Sequence, residues 1–197
     1  MLNNVTQSEA ALIVAIIAGT FTALGWFVSY VLSQRKEISM TRRQNRLNYV
    51  KQQIEELYNP IYCLIQQTKY IYEISTLLLP VNDKNMVDKS KFSQSDSIKW
   101  QYLIEKYFLP LNSQVAVLLR EKMHLIDGLD IPNSYLDFFK HEMYFSTLHT
   151  MWKETQKDLG DIGGYGWPKE FEKDICDTLS KLKVDYKNIY LNLKEVG

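Results

Sequence analysis

From Ala10 to Leu32 the chain runs for 23 residues without a charged side chain, AALIVAIIAGTFTALGWFVSYVL. At 1.5 Å rise per residue, a helix of that length is about 35 Å long, enough to cross a hydrocarbon core of roughly 30 Å with some tilt. Trp26, Phe27 and Tyr30 gather toward its C-terminal end, where aromatic rings favour the lipid–water interface. A cleavable signal peptide would need a basic leading segment, a shorter apolar run and a small-residue cleavage site. No Lys or Arg precedes this run, and the run is too long. The expectation is an uncleaved transmembrane helix over residues 10–33.

Charge gives the orientation. Arg35, Lys36, Arg42, Arg43 and Arg46 follow the run closely, whereas the segment LNNVTQSE before it carries neither Lys nor Arg. By the positive-inside rule, residues 1–9 lie outside and the rest of the chain is cytoplasmic. Abundant Tyr, Lys, Asn and Ile suggest an AT-rich bacterial genome, so the membrane is read as the bacterial inner membrane. Residues 34–53 then form a basic juxtamembrane helix whose cations suit anionic head groups. That role is preferred to RNA binding. Beyond residue 51 the chain carries 17 basic and 21 acidic side chains, a mildly acidic balance with no footprint for DNA.

Within the span, Ala11, Ala15, Gly19 and Ala23 recur every four residues, and Ala18, Thr22, Gly25 and Ser29 occupy the adjoining strip. Small residues at this spacing let helix backbones approach closely. A single-span chain has no second span of its own to receive that face, so homo-oligomerisation is expected. In a ring of such spans, Thr20, Thr22 and Ser29 are the polar side chains available to face the axis.

Residues 54–197 read as a helical bundle, and the fold class as all-α. Four stretches carry helical apolar spacing and none alternates as a strand would. The first runs from Ile54 to Leu79, with Pro60 predicting a kink or break near Tyr58–Asn59. A polar, turn-rich segment over 81–97 reads as a mobile connector. The second helix is expected to start from Ser95 or Asp96 as N-cap and to bury Trp100, Ile104, Tyr107, Leu111, Val115 and Leu118, with Pro110 as another kink. The third starts near Pro132–Ser134, with Leu136, Phe138, Phe139, Met143, Phe145, Leu148 and Trp152 on its apolar side. Pro168 opens the fourth, whose stripe is Phe171, Ile175, Leu179, Leu182, Tyr186, Ile189 and Leu193. An antiparallel bundle is the simplest arrangement of four such helices. No internal repeat stands out.

Chemistry-bearing groups are sparse. Cys63 and Cys176 form no CxxC pair and read as free thiols. His124, His141 and His149 have no Cys or His at ligand spacing, so neither a metal nor another cofactor is implied. Asp137 and His141 are one helical turn apart, a spacing that orients an imidazole but also recurs by chance on helix surfaces. Arg120 and His124, with three residues between them, are the catalytic candidates, against a plainer role as cations near a helix C-terminus. The glycine-rich loop Gly160–Trp167 lacks the Gly-Lys-Ser/Thr of a phosphate-binding loop and reads as a connector. The chain reads as non-catalytic.

The segment Glu55–Tyr62, E-E-L-Y-N-P-I-Y, placed just after a single N-terminal span and a basic stretch, resembles small bacterial membrane proteins, some linked to phage defence. The whole-chain plan is similar to the small membrane accessory family of type VI-B CRISPR systems. That resemblance implies one span, a divergent HEPN-like helical domain, and assembly into a membrane pore acting downstream of a CRISPR effector. HEPN ribonucleases use an Arg and a His separated by four to six residues. The closer spacing of Arg120 and His124 departs from that pattern and fits a domain kept for assembly. The alternatives are a membrane-tethered RNase and a non-catalytic scaffold for a cytosolic partner.

Overall fold

The computed structural model describes residues 7–128, 130–155 and 166–196. Residues 1–6 and the loop over 160–165 lie outside the described residues, and so do the expectations placed on them. The described residues are predominantly helical, with no strand among them. Their one β feature is an isolated bridge between Val81 and Val87. Two units divide the chain, one of residues 1–47 with 189–197 and one of residues 48–188.

Four continuous helical stretches appear, as the apolar spacing predicts. The first joins α1 (Gln7–Gln52), a π turn (Gln53–Tyr58) and α2 (Asn59–Leu78) with no loop residue between them. The second joins α3 (Gln94–Leu103), another π turn (Ile104–Phe108) and α4 (Leu109–Glu121). The remaining two are α5 (Asn133–Thr155) and α6 (Lys169–Val196).

No loop residue interrupts the helix at Pro60, where a kink or break is expected, or at Pro110, where a kink is expected; each proline instead follows a π turn. In a regular α-helix a proline has no N–H to donate, and its ring collides with the carbonyl four residues back. A π turn shifts the bonding by one residue and moves that carbonyl aside. Asn59 N–H accordingly bonds Ile54 O, and Leu109 N–H bonds Ile104 O, each reaching five residues back just before a proline. The two sites share a sequence. Ile54, Glu55, Tyr58, Pro60 and Ile61 match Ile104, Glu105, Phe108, Pro110 and Leu111, each fifty residues on. This short repeat, I-E-x-x-[YF]-x-P-[IL], is a local duplication that the periodicity argument overlooked.

The connector over 81–93 is organised. Asn82 Oδ1 accepts from the backbone N–H groups of Lys84 and Met86, both at 3.0 Å, closing a tight turn. The α3 N-cap is Ser93, two to three residues earlier than expected. Ser93 and Asp96 form a capping box, each side chain bonded to the other's backbone N–H. Below this connector Leu79, Leu103, Ile104 and Phe108 form a small core, with Trp100 packed edge to face against Phe92.

The main core joins α2, α4, α5 and α6. Ile61, Ile65, Val115, Leu119, Phe138, Phe171 and Ile175 are all buried. Phe138 stacks on Phe171 with ring centroids 4.5 Å apart, and Tyr135 meets Phe171 edge to face at 5.4 Å. The buried face of α5 matches the expected one in part: Phe138 is buried, and Phe139, Phe145, Leu148 and Trp152 are half-buried, as expected. Tyr135, Phe138 and His141 point inward, while Leu136 and Met143 are exposed. On α3 and α4, Tyr107 is likewise exposed and Phe108 and Leu119 are buried in its place. Tyr107 and Phe108 both lie within the π turn, and beyond it Leu111 and Val115 are buried as expected. The α6 stripe follows expectation from Phe171 to Leu182.

Candidate functional site

One helix is long and apolar enough to cross a membrane, and no residue of its apolar window is buried. Leu12, Val14, Phe21, Leu24 and Phe27 are all more than half exposed, as is Trp26 at 80%. A soluble domain rarely leaves so continuous an apolar surface uncovered. Ala11, Ala15, Gly19 and Ala23 lie along this exposed helix. Among the described residues, a Cβ built on Gly19 or on Gly25 would meet no atom within 4 Å beyond the helix's own nearby backbone, so no described contact requires glycine at either place. Thr20 and Thr22 turn their hydroxyls onto the carbonyls of Ile17 and Ala18, both at 2.8 Å. Each hydroxyl is thereby satisfied without water, and Ser29 is exposed on the same helix. Arg35, Lys36, Arg42, Arg43 and Arg46 are all exposed on the later turns of α1.

Within the bundle, a polar clasp gathers the α4–α5 connector. Tyr49, Gln53 and Glu56, at spacings of four and three, lie on one helical face. Their side chains meet the connector in reverse order. Tyr49 Oη lies 3.4 Å from Asp127 Oδ1, Gln53 Nε2 donates to Leu125 O at 2.8 Å, and Glu56 Oε2 accepts from Lys122 Nζ at 2.8 Å. The Lys122 ammonium, by its hydrogen bond first and its charge second, holds the Glu56 carboxyl below its ordinary range. Close by, burial pushes the Tyr58 and Tyr135 phenols up, so both remain protonated and bonded to one another.

This connector also carries the sequence's catalytic candidates. Arg120 sits exposed in the last turn of α4, which ends at Glu121. Lys122 leaves helical geometry, and His124 falls exposed in a short 3-10 turn over Met123–Leu125. The expected shared helix face therefore does not exist: the helix ends between the two residues. Arg120 instead occupies the place of a cation near the C-terminal carbonyls.

The other histidines are packed. His141 is buried, stacked on Phe145 at 5.9 Å and edge-on to Trp167 at 5.6 Å. Asp137, its expected partner, is exposed and pairs with Lys140 at 2.8 Å. His149 presents a pairing that sequence reasoning missed. Its Nε2 lies 3.2 Å from Glu105 Oε1 in the second π turn, and Lys153 Nζ lies 3.6 Å from the same oxygen. An open groove of about 440 Å³ adjoins them, lined also by Lys106, Leu109, Thr150 and Glu154. Two lysines there oppose two glutamates, so the groove selects neither anions nor cations, and the pairing clamps α5 to the π turn. Only the repeat around Pro60 and Pro110 marks Glu105 in the sequence, and that repeat says nothing of its partner on α5. Among the described residues no group of three or more His, Cys, Asp or Glu could hold a metal ion.

Compared with protein families, curated proteins and solved structures, the chain matches none.

Proposed function

We propose that this protein is a single-span, self-associating membrane protein with its bundle in the cytoplasm, an accessory of bacterial antiviral defence that acts on the bilayer itself. The observation that carries the membrane part is the uncovered apolar helix, whose glycines meet no other element among the described residues. Lipid covers most of such a surface, and a second copy covers the small-residue strip. The exposed cluster Arg35, Lys36, Arg42, Arg43 and Arg46 supports the orientation with the bundle inside. Perturbation of the membrane by a ring of spans, and the defence setting, rest on the resemblance carried by Glu55–Tyr62 and the single-span plan.

The test is the assembly state of the full chain in detergent or nanodiscs. A sharp oligomer is expected, and a monomer at every concentration would sink the reading. Expression in a bacterial cell should depolarise the inner membrane; oligomers without depolarisation would leave a scaffold. Purified protein should cut no RNA. Cleavage lost on Arg120→Ala or His124→Ala would replace this proposal with a membrane-tethered nuclease.

A further inference from the structure

The outer face of α2 carries a second contact seam. Cys63, Gln67, Tyr70, Ile74 and Leu77 follow one another at spacings of four, three, four and three, and all five are exposed. Leu77 is 85% exposed and Tyr70 59%. Alternating steps of four and three place residues on the single stripe by which one helix packs lengthwise against another. The opposite face of the same helix is already committed to the core, through Ile61, Leu64, Ile65 and Ser75. The outer stripe is therefore not part of the bundle's own packing.

We infer that this seam pairs with the same seam of a second copy, as a short parallel two-helix contact. The inference rests on the self-association proposed above and names a further surface for it. Three features select a second copy over other occupants. No seam position is charged, so identical residues can meet in register without repulsion. Copies inserted in one membrane are related by rotation about its normal, so each can present the same stripe to the other, and a parallel register pairs each position with itself. Gln67 is the polar member, and an amide facing its own copy fixes the register as single polar seam residues do. Five positions alone make a weak contact. Copies held together by their spans experience a high effective concentration, which makes such a contact sufficient.

Cys63 supplies a direct probe. In membranes containing the full chain, oxidation with copper phenanthroline should link two copies through Cys63, and Cys63→Ser should abolish the dimer band while Cys176→Ser leaves it. In a chain with both cysteines replaced by serine, Leu77→Cys should restore the link and Lys181→Cys, exposed on α6, should not. Equal linking at Lys181 would overturn the seam as mere collision. An Ala15→Cys variant in the same background reports the span. Linking at position 15 without linking at 63 or 77 removes the seam and leaves the proposed function standing. Linking at 63 and 77 alone keeps the seam and removes the span contact, and failure at all three removes both. As a second readout, Ile74→Glu with Leu77→Glu should lower the assembled fraction at least tenfold while the helicity and melting temperature of the bundle are unchanged; undiminished assembly would overturn the inference.

Discussion

Gln53 and Leu125 are 72 positions apart in the chain, yet the buried Gln53 amide donates to the Leu125 carbonyl over 2.8 Å. Gln53 belongs to the first π turn and Leu125 to the connector after α4, so one side chain fastens the irregular part of one helix to the end of another. Gln53→Ala leaves that carbonyl buried without a donor. A destabilisation of about 1–3 kcal/mol is expected, read as a lowered urea midpoint at unchanged m-value. No change in midpoint would mean that the clasp contributes nothing to the bundle.

The buried face of α5 gives a paired prediction. Phe138→Ala, which removes a ring stacked on Phe171, should cost about 3–5 kcal/mol. Leu136→Ala, at an exposed position, should stay within about 0.5 kcal/mol. Thermal unfolding of the two variants in the same detergent checks both values, and the Leu136 result separates the observed face from the expected one, which counts Leu136 as well as Phe138 inward.

Acid should weaken the start of α3. Bonds from Ser93 first, then from Lys99, depress the Asp96 carboxyl from 3.8 to about 2. A depressed carboxyl stabilises the fold above its unfolded value, and that contribution disappears as pH falls from about 3.8 toward 2. Ser93→Ala removes the reciprocal cap and should cost about 1 kcal/mol near neutral pH. It should also flatten the loss of stability across that acid window, as followed by denaturant titrations at several pH values.

Replacing Gly19 by leucine should act on assembly and leave the bundle alone. A Cβ at Gly19 clashes with nothing among the described residues, so the stability of residues 48–188 should not move. A leucine at the contact holds two helix backbones apart, so the association constant in nanodiscs should fall about tenfold, or about 1.4 kcal/mol. An unchanged association constant would exclude the strip through Gly19 as a contact.

The Arg120 and His124 pair shows where reading along a chain fails. Spacing implies a common face only if the helix continues, and here α4 stops at Glu121, with Lys122 out of helical geometry and paired with Glu56. Nothing within a few residues of Lys122 announces a carboxylate from another helix. Read alone, Pro60 suggests a kink or break and Pro110 a kink; each follows a π turn within shared surroundings, I-E-x-x-[YF]-x-P-[IL], and the helix continues through both.

By itself the sequence determined the apolar helix, the all-helical class, the four helical stretches and the α6 stripe. Each follows from hydrophobic periodicity or from an uncharged run, which are properties of neighbouring residues. Only the tertiary structure decided which side of α5 is buried, that Glu105 meets His149, and that Tyr49, Gln53 and Glu56 hold the connector. Those depend on which distant segment lies opposite each residue once the helices have packed. The uncharged run and its glycines were legible from the start; the structure added that, among the described residues, no part of the apolar window is buried.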